Sequence, residues 1–417
     1  RSKVKRLTRV NSIYFILIAL LAIFLNQSMV INKANLSFSD FVCVLLVFVL
    51  IVMRRFTLPY APLMFFLFIS CWVLSVGVIY VPNKLPFLNK MPNFIIEYIK
   101  LFMCFIYFAI GYNITKMKNM HKFLLFFAWT AFIVGLFGII VYLLPENALR
   151  NIMYFGGYRL KGLMNDPNYF SILQILAFVY FSRIDMKKNI YKFAVLTVLI
   201  ISILFSGSKT GVVVLLCYVG LLFLEYLLKF RYKIKTLFWG CLFVLCFFIF
   251  AKFSWIYSNY LLNFMPSLER IVHLITNFGR AIEEGGSART LCWNIAIDLI
   301  EEFPITGVGL GNYTVTADLF SGIALLAHNT YLQMFAEWGL LWASVFFIYI
   351  IWVILRITLS MKRDKINIIL RDMLIVFLLA FMGISLNNAR IFWICLGMSS
   401  FIILGISKSE TDIFNEQ

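Results

Sequence analysis

The sequence predicts an all-α, polytopic membrane protein with about 12 transmembrane helices and one large helical loop. Apolar residues make up 62% of the 417 residues and charged residues only 13%, which excludes a soluble globular domain. Mean hydropathy is +0.92. Apolar runs of about 17 to 25 residues recur along the chain, each long enough to cross roughly 30 Å of hydrocarbon. Because lipid offers the backbone no hydrogen-bond partner, these runs are helices.

The predicted spans follow one another through mostly short loops. In chain order they are 10–31, 36–53, 58–80, 94–114, 123–144, 168–184, 190–206, 211–228, 236–256, 329–355, 369–386 and 389–406. They divide the chain into three parts. Residues 1–256 hold spans one to nine, 257–327 form a large loop, and 328–417 hold spans ten to twelve and a tail.

The net charge of +18 is a topology signal rather than a nucleic-acid signal. With a cytoplasmic N-terminus, most of the 37 lysines and arginines fall on the cytoplasmic side, which is the positive-inside bias. The same count places both termini in the cytoplasm and the large loop outside, in a periplasm or its equivalent. It predicts a membrane partner and no nucleic-acid partner.

The large loop contains two helical patterns separated by Gly285 and Gly286. The first, 268–282, places Ile271, Ile275, Phe278 and Ile282 on one face. The second, 288–303, repeats Leu291, Ile295, Leu299 and Phe303 at four-residue spacing. Both patterns are amphipathic and predict helices that lie on the membrane surface or cap a cavity.

Other patterns exclude several kinds of site. Seven of the eight cysteines lie inside apolar runs, which favours packing residues over disulfides or zinc ligands. No His, Asp or Glu cluster has metal-ligand spacing, so neither a metal nor a cofactor is predicted. The segment "GVGLGN" (307–312) lacks the preceding strand of a dinucleotide fold, and a flexible loop near a ligand fits it better. Glu97 and Lys100 are spaced to pair with each other.

Five polar segments are all predicted to face outward, where the topological rule disfavours cations. They are "GGYRLKGLMNDPNYFS" (156–171), "SGSKTG" (206–211), "GGSARTLCWN" (285–294), "AHNTY" (327–331) and "NNAR" (387–390). Their cations, Arg159, Lys161, Lys209, Arg289 and Arg390, together predict a site for an anionic ligand. Solvated loop residues, or side chains that reach lipid headgroups, are the alternative.

Arg289 favours a phosphate ligand. It lies in the first turn of a predicted helix, where the macrodipole makes a cation unfavourable by roughly 0.3–1 kcal/mol. A helix N-terminus with a guanidinium suits phosphate, whose oxygens accept bidentate hydrogen bonds.

His328 is a candidate general base. It is one of three histidines in the chain and directly precedes a predicted span. An imidazole, with an ordinary pKa of about 6.5, can take a proton from a hydroxyl group. A capping or packing role is the alternative, and loss of transfer in a His328→Ala variant would distinguish the two.

These motifs in this order resemble the O-antigen polymerase and O-antigen ligase family. The likeness rests on Arg159 with "NDPN", then "SGSKTG", "GSARTLCW", "PITGVGLGNY" and "AHNTYLQMFAEWG". The resemblance implies a metal-independent GT-C-like glycosyltransferase that uses an undecaprenyl-diphosphate-linked glycan at the periplasmic face. It implies that Arg289 and Lys209 contact the diphosphate, that His328 activates the acceptor hydroxyl, and that Arg159 matches a further family arginine. Lys209 replaces the usual arginine, so the charge is kept and the bidentate fork is lost.

Three functions remain open. A polymerase joins lipid-linked repeat units, and a ligase transfers the glycan to lipid A–core. The "NDPNYF" segment and Lys209 favour the polymerase, for which a chain-length regulator would be a further partner. A transporter or flippase of lipid-linked sugar is the alternative from another class, although the spans carry few of the central charges that transporters use.

Overall fold

The computed structural model describes residues 2–28, 36–85, 94–145, 148–229, 265–276, 289–360 and 364–415. It divides into two compact units. Unit 1 comprises residues 1–130, 179–185 and 289–417, and unit 2 comprises residues 131–178 and 186–288. The helices Met120–Leu143 and Pro167–Arg183 run through both ranges. Predicted span nine, and the first loop pattern beyond residue 276, lie outside the described residues.

Helices account for nearly all of the regular structure. The first ten are α1 (Ser2–Phe24), α2 (Phe38–Val52), α3 (Tyr60–Ser75), α4 (Val81–Lys84), α5 (Phe94–Lys116), α6 (Met120–Leu143), α7 (Ala148–Met153), α8 (Pro167–Arg183), α9 (Asn189–Ser206) and α10 (Lys209–Lys229). The remainder are α11 (Glu269–Thr276), α12 (Arg289–Glu302), α13 (Tyr313–Ser321), α14 (Thr330–Trp338), α15 (Leu340–Leu359), α16 (Lys365–Phe381) and α17 (Arg390–Asn415). A π-helical turn, Val76–Tyr80, joins α3 to α4, and a 3-10 turn, Pro266–Leu268, precedes α11. Two short antiparallel strands, β1 (Tyr154–Phe155) and β2 (Arg159–Leu160), form a hairpin.

Among the described residues, six helices are long and apolar enough to cross a membrane. They are Tyr60–Lys84, Ile95–Lys116, Met120–Leu143, Asn189–Ser206, Lys209–Leu228 and Leu340–Leu359. The chain is therefore an integral membrane protein. Five other predicted spans coincide with helices that are shorter or less apolar, so the total of 12 stays a prediction.

In unit 1, α5 and α17 pack closely because each contributes a glycine to the interface. A Cβ added at Gly111 would lie 2.2 Å from the carbonyl oxygen of Ile394. One added at Gly397 would lie 1.9 Å from the carbonyl oxygen of Phe108. Small residues allow such backbone approach in membrane helices, where packing rather than water exclusion drives association.

In unit 2, a buried amide joins α6, α8 and α9. Gln174 is 1% exposed, and its Nε2 donates to the carbonyl of Ala131 at 3.0 Å. Its Oε1 accepts from the Ser202 hydroxyl at 3.0 Å. Gly135 lies against this pair and leaves no room for a Cβ, since one added there would lie 2.6 Å from the Gln174 Oε1. A buried amide satisfied on both sides fixes the register of the three helices.

The predicted span 329–355 is wrong as one continuous helix, because α14 ends at Trp338 and α15 begins at Leu340. Gly339 separates them with φ 80° and ψ 161°, a backbone conformation that glycine adopts readily. The membrane span of this region is therefore α15. The nine residues of α14, which follow His328, form a separate short helix.

Candidate functional site

In unit 2, the fold brings the Arg159 segment to the "SGSKTG" turn. Arg159 is 6% exposed and lies on β2 of the hairpin. Its Nε donates to the Ser206 carbonyl at 3.0 Å, and its Nη2 donates to the Asn168 Oδ1 at 3.2 Å. Asn168 in turn donates through its backbone and side chain to Asp166. One guanidinium is thus held by a residue 47 positions later in the sequence and by another nine positions later.

Lys161 follows Arg159 by two residues and Lys209 follows Ser206 by three, and both lysines are half-buried. Lys209 is the first residue of α10, after Gly207, which has φ 58° and caps α9. A Cβ at Gly207 would lie 3.5 Å from the Arg159 Nε and 2.9 Å from the Ser267 carbonyl oxygen. The turn at Gly207, a position that only glycine fits without strain, thus lies against Arg159 and directly precedes the α10 start at Lys209.

In unit 1, Arg289 is the first residue of α12 and is half-buried. The predicted apolar face of this helix is largely confirmed, because Ile295, Leu299 and Phe303 are buried. Leu291 is 43% exposed, and Cys292 takes its place in the core. The face packs against α13, α14 and the π-helical turn. Arg289 thus stands at the helix N-terminus that the sequence predicts.

His328 has an unusual backbone conformation. Its φ is 49°, in the left-handed region that costs a non-glycine residue about 1 kcal/mol or more. Its neighbours Ala327 and Asn329 are buried, whereas His328 is half-buried. Such conformations persist where surrounding contacts enforce them, and they occur often at functional sites.

The residues after His328 are held in place by hydrogen bonds. The Asn329 side chain caps α14 by accepting from the Leu332 backbone N–H at 3.1 Å, and it donates to the Met382 carbonyl. The Thr330 hydroxyl donates to the Ile384 carbonyl at 2.7 Å and accepts from the Leu386 N–H at 2.9 Å. The capping role considered for His328 therefore belongs to Asn329.

Arg390 has an anionic partner within the protein. Its Nε donates to the Asp40 Oδ1 at 2.8 Å, and its Nη2 donates to the Asp40 Oδ2 at 2.7 Å. Asp40 also accepts from the Tyr107 hydroxyl at 2.7 Å and from the Ser37 N–H at 2.7 Å. We call these four residues the Asp40 cluster. Its arginine lies next to the 382–386 segment that holds Thr330, and a diphosphate role for Arg390 stays a prediction.

The segment "GVGLGN" is not a flexible loop. Val308 N–H donates to the Ala336 carbonyl at 2.7 Å, Gly309 N–H to the Glu337 carbonyl at 3.0 Å, and Leu340 N–H to the Pro304 carbonyl at 2.8 Å. Residues 307–310 are buried. We call residues 304–310 with 336–340 the glycine joint. It fixes the end of α14 by backbone contacts alone.

The glycine joint also contacts the π-helical turn. The Asn312 side chain donates to the Gly77 carbonyl at 2.8 Å, and a Cβ at Gly309 would lie 2.4 Å from the Gly77 nitrogen. A π-helical turn widens a helix locally and often marks a functional position. Here the π-helical turn packs against residues 309–312, which lie between α12 and α13.

An apolar cavity of about 210 Å³ lies in unit 1 between α3, α5, α14, α15 and α17. Its wall includes Trp338, the last residue of α14, so it begins ten residues after His328. The other aromatic residues of the wall are Phe65, Phe66, Phe105, Phe108, Phe346, Tyr349 and Trp393. A cavity of this kind suits a hydrocarbon chain.

Two residues that matter to this geometry are not among those predicted from the sequence. Asp40 is one, although a lone carboxylate inside an apolar run is a visible signal of a functional or paired group. Glu337 is the other: it is 6% exposed and accepts from the Gln333 Nε2 at 3.0 Å. It lies in α14, outside the candidate spans, and burial raises the pKa of its carboxyl to about 8.

The fold and these residues define an integral membrane protein whose predicted site residues lie at helix ends, at turns and in a strand beside a turn. Residues 193–348 match the family model described as O-antigen ligase. This match confirms the resemblance to the O-antigen polymerase and ligase family, and it includes Lys209, Arg289 and His328. No curated protein matches the chain.

Proposed function

We propose that the protein is a metal-independent glycosyltransferase that joins the repeat units of a surface polysaccharide at the periplasmic face of the inner membrane. Its donor is an undecaprenyl-diphosphate-linked glycan. The observation that carries the proposal is the O-antigen ligase domain at residues 193–348. Ligation of the glycan to lipid A–core is the second candidate, since that is the activity in the domain's description.

In the proposed reaction, the acceptor hydroxyl attacks the anomeric carbon of the donor and the glycosyl–phosphate bond breaks. The diphosphate leaves with its electron pair, and His328 takes the proton of the hydroxyl. Arg289, Lys209, Arg159, Lys161 and Arg390 are assigned to the diphosphate from the sequence resemblance and their charge. Fixed cations stabilise the negative charge that develops on a leaving diphosphate.

The geometry around His328 supports its role as base. A general base must be held in one orientation. The hydrogen bonds of Asn329, the N-cap of α14, and of Thr330, its first residue, fix the chain directly after His328. The half-buried position leaves the imidazole reachable. The apolar cavity that begins at Trp338 supports a donor that carries a long hydrocarbon chain.

Complementation of two deletion hosts tests the function. One host lacks the O-antigen polymerase of a strain whose repeat unit matches this protein's gene cluster, and the other lacks the ligase. A restored ladder of long chains on a gel supports the polymerase, and restored attachment to lipid A–core supports the ligase. If neither is restored with the protein present in the membrane, glycosyl transfer is rejected in favour of a lipid-linked sugar transporter.

The His328→Asn variant tests the base. Asparagine tolerates the left-handed backbone and cannot act as a base, so the fold should be kept. Transfer should fall about 10²–10⁴-fold, the usual contribution of a general base. His328→Ala should lose transfer similarly. The control is His121→Ala, which changes an exposed histidine at the start of α6 and should leave transfer unchanged.

A further inference from the structure

A second cavity lies in unit 1 at the end where α1 meets two turns between helices. Its volume is about 510 Å³. The two turns are those between α2 and α3 and between α5 and α6. Polar and charged side chains on its wall are Asn11, Ser12, Tyr14, Arg55, Asn119 and Lys122. None of the predicted glycan-transfer residues belongs to it.

The turn between α2 and α3 is joined to the last part of α5 by a buried side chain. Asn113 is 0% exposed, and its Nδ2 donates to the Thr57 carbonyl at 2.8 Å. Its Oδ1 accepts from the Thr57 backbone N–H at 3.0 Å and from the Thr57 hydroxyl at 3.1 Å. The Asn119 side chain holds the second turn by donating to the Met117 carbonyl at 3.1 Å. The wall that carries Arg55 and Asn119 is therefore fixed by the fold.

The cations of this cavity are held by neutral groups. The Arg55 Nη1 lies 3.8 Å from the Met117 sulfur, and the Lys122 Nζ lies 4.7 Å from the centre of the Phe15 ring. No acidic residue is among the described residues that line the cavity. Within the described part of the chain, no carboxylate forms an ion pair with either cation. No described carboxylate therefore compensates either charge, and the wall also carries amide and hydroxyl groups.

We propose that this cavity binds the phosphate group of an anionic phospholipid. Cations between membrane helices on the cytoplasmic side are suited to lipid phosphates, and the charge bias of the sequence predicts that side here. Arg55 supplies a bidentate donor for the phosphate, and Lys122 supplies a point charge. A lipid fits better than free phosphate because Phe15 and Ile16 also line the cavity and because Ile13 and Ile16 are exposed along α1.

The site is independent of the proposed glycan transfer, and a binding experiment tests it directly. The purified full chain in a neutral detergent is titrated with phosphatidylglycerol, phosphatidylcholine or inorganic phosphate, and bound lipid is counted by native mass spectrometry. We expect phosphatidylglycerol to bind at least about tenfold more tightly than phosphatidylcholine. Equal binding of the two lipids overturns the proposal. Displacement of phosphatidylglycerol by millimolar inorganic phosphate assigns the cavity to free phosphate and also overturns it.

A matched pair of variants locates the binding. Arg55→Gln with Lys122→Gln should weaken phosphatidylglycerol binding at least about tenfold. Arg54→Gln with Lys118→Gln removes the same charge from the same two turns, but neither residue lines the cavity, so binding should be retained. An equal loss in both pairs would show only a diffuse surface attraction and reject the site. If the first pair does not fold, Lys122→Gln against Lys118→Gln gives the same comparison.

Discussion

The glycine joint and the Asp40 cluster each hold one end of a helix that follows or begins with a predicted site residue, yet they do so by different forces. The joint fixes α14, which follows His328, through backbone hydrogen bonds and close contact. The cluster fixes the start of α17 at Arg390 through side-chain charge and hydrogen bonds. We therefore expect added side-chain volume to destabilise the glycine joint and loss of a charge to destabilise the Asp40 cluster.

This difference determines what each region tolerates. A methyl group added at a glycine of the joint would overlap with main-chain atoms. Side chains that point away from the joint make no such contact. In the Asp40 cluster, loss of one charge leaves the other in a largely buried position. The predictions below separate the two forces, from the largest expected effect to the smallest.

Gly339→Ala should have the largest effect on stability. A Cβ at this position would lie 2.0 Å from the carbonyl oxygen of Ile305, and φ is 80°. We expect a loss of more than about 4 kcal/mol, in the range reserved for core clashes and backbone strain. The measurement is the melting temperature of the purified protein in detergent.

Gly322→Ala is the control for Gly339→Ala. Gly322 also has positive φ, 71°, but nothing lies within 4 Å of an added Cβ. Its cost should be only about 1–2 kcal/mol, that of a left-handed residue without a clash. Equal losses in the two variants would show that backbone strain alone governs the joint and that its close contacts are unimportant.

Asp40→Asn should have the next largest effect, because it leaves Arg390 without its carboxylate. Breaking a buried pair costs about 3–5 kcal/mol. The Arg390 side chain is 21% exposed, so the loss should lie near the lower end of that range. Arg390→Met added to Asp40→Asn should recover part of the stability, as measured by thermal unfolding. No recovery would mean that Asp40 acts mainly through Tyr107 and Ser37.

The membrane spans were the part of the fold most open to prediction from the sequence. Their apolar runs are long and local, and five of the six candidate spans among the described residues begin and end within four residues of the predicted bounds, as for 123–144 against Met120–Leu143. The interruption at Gly339 was not visible in the same way. The run 329–355 is apolar throughout, and what forbids a side chain at Gly339 is the backbone of Ile305 and Gly307, more than thirty residues earlier.

The sequence predicts which cations belong to the candidate site, but it does not predict which residues surround them. Arg390, Arg159 and the other cations stand out from the sequence because the topological rule disfavours them. The Asp40 partner of Arg390 is 350 residues away in sequence, and no local spacing pairs the two. The predicted pair of Glu97 and Lys100, three residues apart on one helix, is confirmed at 2.5 Å. Local pairs are readable from the sequence, and distant pairs require the fold.

Glu337→Gln should have the smallest effect at pH 5, where the carboxyl that it replaces is protonated in the folded protein, and the effect should grow as pH rises. Burial is the main cause that raises the pKa of Glu337 from 4.5 to about 8, with Glu97 adding to the rise and Gln333 and Lys100 opposing it. Between these pKa values the folded protein keeps a proton that the unfolded chain has released. Stability should therefore fall as pH rises from about 5 to 8, by at most about 1.4 kcal/mol per unit.

The Gln variant carries no titrating group at this position, so its melting temperature should fall less steeply over the same interval. Its advantage over the wild type should be greatest at pH 8. Because Glu337 lies at the glycine joint and not in the Asp40 cluster, Asp40→Asn should leave this pH dependence in place. Parallel pH profiles for Glu337→Gln and the wild type would show that Glu337 is ionised in the folded protein and that the joint, like the cluster, contains a buried charge.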